Sequence, residues 1–129
     1  MSEARRSIDV EGLGHGGLPI PCASRIGPFI ATGGIRGVDS ATGEMPADAA
    51  AQVVLMFANL RKILAAAGAG PEHVLKLTVY VKAQEARAAV NDEWIKMFPD
   101  AAARPARHTL NYDLPGGMLV QCDALAVVL

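Results

Sequence analysis

Two amphipathic helices among several short strands predict an α+β fold, a β-sheet with both helices packed on one of its faces. Three observations carry that expectation. Val53, Phe57, Leu60 and Leu64 recur at three- and four-residue spacing within residues 47–67, the period of a helix with one apolar stripe. Residues 74–82 then alternate, Leu75, Leu77, Val79 and Val81 in one phase and Lys76, Thr78, Tyr80 and Lys82 in the other, which is the period of a strand. The C-terminal segment, residues 118–129, is apolar in both phases, whereas a strand with one wet face would alternate. A chain of 129 residues makes one domain, spanning 1–129.

The elements follow in order. The first 20 or so residues are rich in glycine and end in Leu18-Pro-Ile-Pro21, which predicts loop and one short strand. His15 stands among glycines there, the usual setting of a solvated histidine, and receives no role. Residues 25–32 read as two short apolar runs about Gly27-Pro28, a hairpin. Thr32-Gly33-Gly34 ends it and has two readings: a close approach of backbone to a ligand or another chain, or a β-bulge. Asp39-Ser-Ala-Thr-Gly43 has turn chemistry. Pro46 and Gly68 bracket the first helix as start and stop signals. A second helix is expected over residues 84–98, with Val90, Trp94 and Phe98 inward and Pro99 closing it.

In the last strand, Met118, Val120, Cys122 and Val128 share one face, and Leu119, Leu125, Val127 and Leu129 share the other. Two helices can cover only one face of such a sheet. Nothing left in the chain supplies another layer, so a homo-oligomer is expected.

Composition excludes several classes of function. The net charge is −1 with no basic run, which argues against nucleic acid as a partner. No apolar run approaches the roughly 18 residues of a membrane span, and the N-terminus lacks the apolar core of a signal peptide; a cytoplasmic protein with no membrane partner is expected. Cys22 and Cys122 have no metal-binding or redox spacing and read as reduced, buried thiols. No metal site and no cofactor are expected.

The segment Arg104-Pro-Ala-Arg107-His108-Thr109 leads through Leu114-Pro-Gly-Gly into Val120-Gln121-Cys122-Asp123-Ala-Leu-Ala. Arg107 and Gln121 are expected to face each other across neighbouring strands, walled by apolar residues. The planar guanidinium fork suits a small carboxylate. Equally open is an arginine that pairs with a neighbour such as Asp113, or with backbone carbonyls.

Taken in order, the strand pair, Thr32-Gly33-Gly34, the helix, Thr78-Val-Tyr-Val-Lys82, Val90-Asn91, Arg104-Pro-Ala-Arg107, Leu114-Pro-Gly and the motif around Gln121 resemble the Rid/YjgF family of reactive-intermediate deaminases. The resemblance spans nearly everything after residue 20. It implies a chorismate-mutase-like α+β fold, a mixed sheet with two helices on one face. It also implies homotrimers with active sites in the clefts between subunits, where 2-enamino and 2-imino acids are hydrolysed to 2-keto acids and ammonia. By the same resemblance Arg107 holds the substrate carboxylate, Thr32 and Gly33 belong to a loop whose backbone contacts ligand, and Asn91 lies near the cleft. Gln121 occupies the position of a glutamate that activates water. Thr109 stands where the family often has cysteine, and Ile20 lies near the place of a frequent tyrosine.

Glutamine cannot accept a proton at neutral pH, although its amide can orient water. A positioned base is worth about 10²–10⁴ in rate, so the expected enzyme is a weakened one. His108 is either a substitute base or an outward-facing strand histidine. Three functions remain open: a deaminase of small 2-imino acids, a non-catalytic binder of 2-keto acids and similar carboxylates, and a hydrolase of another nitrogenous metabolite. The endoribonuclease activity also attributed to the family fits poorly with the neutral charge.

Overall fold

In the computed structural model, which describes residues 4–129, helix α1 (Ala49–Ala66) starts where Asp48 caps it. The Asp48 carboxylate accepts the Ala51 N–H at 2.9 Å and satisfies one of the free donors of the first turn. The cap lies two residues beyond Pro46, so the helix is shorter than its apolar pattern suggested. It ends at Ala67, with Gly68 in the left-handed region (φ 84°) as the residue after the cap. Arg25 reaches across from the hairpin and donates to the Ala67 carbonyl at 2.8 Å, a cation placed on the negative end of the helix. The predicted stripe is the buried one: Val53, Phe57, Leu60 and Leu64 are all in the core.

Among the described residues, seven strands form one sheet: β1 (Arg6–Ile8), β2 (Ala23–Ile26), β3 (Phe29–Thr32), β4 (Ile35–Arg36), β5 (Val74–Val81), β6 (Ala106–Asn111) and β7 (Val120–Val127). Their order is β1-β2-β3-β7-β5-β6, and β4 continues the β3 side of β7. β5 and β6 run parallel and every other pair antiparallel. The parallel pair requires a crossover, which α2 (Gln84–Met97) provides. The sheet is therefore mixed, with both helices packed on one face, as expected.

On β7 the helix-side face is Val120, Cys122, Ala124 and Ala126, all buried. The opposite face carries Gln121, Asp123, Leu125 and Val127. It is thus polar at one end and apolar at the other, and not apolar throughout. The apolar end joins Ile26, Phe29, Ala31 and Leu75 in an open groove of about 280 Å³. Phe29 (63% exposed), Leu75 (60%) and Leu125 (48%) stand in it. A bulge between Val74 and Lys76 puts Leu75 out of phase with Leu77. This corrects the expectation that Leu75 shares the core face with Leu77, Val79 and Val81.

The expectation that no apolar run reaches the length of a membrane span is also corrected. α1 has 18 residues with a mean hydropathy of 1.4, enough by length and composition. Half of it is buried in this fold, and its outer side carries Arg61 and Lys62 among alanines that raise the mean. That is the pattern of a core helix. Cys22 and Cys122 are both buried free thiols.

Candidate functional site

Arg107 lies on β6 in register with Leu77 of β5 and therefore projects to the helix side of the sheet. There it meets α2. Its Nη2 donates to Asn91 Oδ1 at 2.7 Å, and its guanidinium carbon sits 4.9 Å from the centre of the Trp94 ring. Asp113 is not its partner; that carboxylate pairs with Lys82 at 3.3 Å. Burial and the nearby charge of Arg87 push the Arg107 pKa below its ordinary value; an arginine nonetheless keeps its charge in a protein. Thr109, two residues on, projects to the same side. Among the described residues, only Arg107 Nη1 and Thr109 Oγ1 are buried side-chain polar atoms without a partner. Such atoms are costly unless something satisfies them. Asn91 and Trp94 fix the guanidinium plane and leave one edge of the fork unused.

Gln121 faces the other way. It is in register with Tyr80 on the open face, and β5 lies between β7 and β6. This corrects the expectation that Arg107 and Gln121 face each other across neighbouring strands: they lie on strands separated by a third and on opposite faces of the sheet. Gln121 lines a polar, solvent-open pocket of about 400 Å³ with Gly34, Tyr80, Tyr112 and Asp123. The Tyr80 and Tyr112 rings meet edge to face, 5.8 Å between centres. Burial raises the Asp123 pKa, a shift that the neighbouring Tyr80 hydroxyl and the Lys76 charge partly offset. The Asp123 charge in turn raises the Tyr80 pKa, so the phenol stays protonated.

The bulge reading of Thr32-Gly33-Gly34 holds. Ala31 pairs with Leu125 and Ile35 with Cys122, so the β3–β4 side spends four steps where β7 spends three, a one-residue bulge. The Thr32 hydroxyl accepts the Ala124 N–H at 2.9 Å and donates to the Gly33 carbonyl at 2.9 Å, and the Gly33 N–H is bonded to the Cys22 carbonyl. Thr32 and Gly33 therefore hold the bulge together. The close approach belongs to Gly34: the Gln121 amide occupies the space that a Cβ there would need. His15 closes the outer side of this loop, its Nδ1 3.2 Å from the Ile20 carbonyl and its ring near Gly33. His108 is in register with Thr78, on the open face, and exposed. Buried Cys122 has its pKa pushed far up by desolvation and by Asp123, which removes it as a nucleophile.

The family model described as Endoribonuclease L-PSP matches residues 21–128, a span that contains both groups of polar residues. The chain belongs to this family, Rid/YjgF. It is 36% identical over 104 residues to the 2-iminobutanoate/2-iminopropanoate deaminase of Escherichia coli (strain K12), covering 79% of this chain and 81% of that one. A RutC family protein of Haemophilus influenzae is 33% identical over 114 residues, with 84% and 86% covered. Among solved structures, the YjgF gene product of E. coli superposes with a TM-score of 0.84 at 32% identity, covering 95% of this chain and 98% of that one. E. coli TdcF with bound serine reaches a TM-score of 0.84 at 27% identity, with 95% and 98% covered.

Of the residues singled out from the sequence of this Rid/YjgF protein, Arg107, Asn91 and Thr109 gather at the β6–α2 edge, while Gln121, Thr32 and Gly33 gather around the bulge. Trp94, Gly34, Tyr80 and Asp123 were missed as site residues. The alternation of β5 and β7 carried a signal for the last two, since Tyr80 and Asp123 sit in the polar phases of their strands.

Proposed function

We propose that this protein hydrolyses small 2-imino and 2-enamino acids to 2-keto acids and ammonia. The observation that carries the reading is the pair of unsatisfied atoms at Arg107 and Thr109, an unused donor edge and a hydroxyl where a carboxylate would sit. The likeness to the E. coli imine deaminase supports the reaction class. Arg107 anchors the substrate carboxylate and Asn91 holds the guanidinium in place. Gln121 orients water through its amide. No cofactor enters this scheme.

One subunit cannot make this site alone. Arg107 projects to the helix side and Gln121 to the open side, so a single small ligand touches both only if they come from different subunits. The apolar groove around Phe29 and Leu125 offers a face to cover in such an assembly. A homotrimer with three inter-subunit sites meets both needs. Native mass spectrometry at micromolar concentration is expected to show three subunits; a monomer would exclude a shared site.

The reaction is tested by generating a 2-imino acid in situ with an amino-acid oxidase and following 2-keto acid and ammonia. Formation above the uncatalysed rate is expected. Pyruvate or 2-oxobutyrate binding without any acceleration would leave a carboxylate-binding protein in place of the enzyme, an outcome to which Gln121 lends weight. Acceleration only with other nitrogenous substrates would point to a different hydrolase.

A further inference from the structure

We propose that Asp123 is the proton-transferring group of this site and does the work that Gln121 cannot. The inference rests on the deaminase reading and adds to it the identity of the base. Asp123 and Gln121 are two apart on β7 and project from the same face, roughly 6.6 Å apart along the strand. From neighbouring positions on one face, an amide and a carboxylate can share a water molecule. Both side chains line the same polar pocket with Gly34, Tyr80 and Tyr112, and Asp123 is the one carboxylate among its lining residues. Gly34 matters because its missing Cβ leaves room for the Gln121 amide, which fixes one end of the water-binding pair.

The groups on the open face around Asp123 are Tyr80 and Lys76 from β5, Tyr112 at the rim beyond β6, His108 of β6 in register with Thr78, and Arg36 of β4 in register with Gln121. The Tyr80 hydroxyl neighbours the carboxylate in the same pocket. Burial holds the carboxyl above its ordinary pKa, which makes its conjugate base a better proton acceptor.

The step balances without another reactant. The water oxygen attacks the imine carbon, a C–O bond forms, and the C=N π pair moves to nitrogen. The proton released by water passes to Asp123 and returns to nitrogen, giving the carbinolamine. Asp123 then takes the hydroxyl proton and delivers it to the amine, the C–N bond breaks, and ammonia leaves as the carbonyl forms. Gln121 holds the attacking oxygen throughout.

The test compares the parent and Asp123→Asn, with the uncatalysed rate at each pH divided out so that protonation of the imine itself cancels. Asp123→Asn is expected to lower kcat/KM by about 10²–10⁴. The base works deprotonated, so the parent should lose activity as pH falls through a midpoint above the ordinary aspartate value of about 3.9; the variant should lack that limb. Lys76→Met removes the positive charge that lowers the Asp123 pKa, which should move the limb to higher pH. This measurement decides the matter even if Asp123→Asn fails to fold. An active parent whose limb does not move, or an Asp123→Asn protein with parental rate and profile, overturns the role of Asp123 and leaves the deaminase standing. A parent without acceleration removes the deaminase reading, and this proposal with it.

Discussion

Arg107→Ala is expected to weaken binding of pyruvate and 2-oxobutyrate by roughly 2–5 kcal/mol, about 30- to several-thousand-fold, with the fold intact. The loss is large because the ligand carboxylate would be left without its charged partner in a partly dry site. The cost to stability should be small. Arg107 is only half-buried on an edge strand, and its contact with Trp94 is worth about 0.5–1 kcal/mol at such a site. Calorimetric titration of both proteins gives the comparison directly. Equal affinities would make Arg107 a structural arginine, held by Asn91 and Trp94 for the sake of the β6–α2 contact.

The largest stability effect is expected at Gln52, a fully buried polar residue in the first turn of α1. Its Nε2 donates to the carbonyls of Pro46 (2.8 Å) and Gly117 (3.1 Å), and its Oε1 accepts the Leu119 N–H at 2.9 Å. One side chain therefore ties the entry of α1 to the turn that leads into β7. Gln52→Ala removes all three bonds and opens a cavity, at a cost of roughly 2–5 kcal/mol. That is a large part of the 5–15 kcal/mol typical of a domain. Urea unfolding should show the midpoint falling sharply. A change within about 0.5 kcal/mol would mean that water replaces the amide without loss. Asn59, two helical turns further on, plays the same part for β4, donating to the carbonyls of Arg36 and Val38.

These two amides illustrate how far local pattern reaches. Period 3.6 located α1 and its buried stripe, and Gln52 and Asn59 lie within that stripe, but no local pattern says what a buried amide bonds. Their partners are 6 to 67 residues away in the chain. The bulge at Leu75 is of the same kind. Alternation placed Leu75 with Leu77, and a register shift against β7, which depends on a strand 50 residues later, turned it outward.

The sequence by itself determined the helix α1 and its buried face, the strand–helix–strand run through residue 111, the hairpin about Gly27-Pro28, and the residue types able to grip a carboxylate. Those properties depend on spacing and chemistry within short windows. It also determined the family, because motifs in a fixed order leave their mark without any knowledge of contacts. Only the tertiary structure decided where the site residues point. β7 enters the sheet beside β3 and β5, while β6 adds in parallel at the edge; this order sends Arg107 to the helix side and Gln121 to the open side. A side chain's face follows from strand register, and register is settled by which strands pair, a contest among segments far apart in the chain.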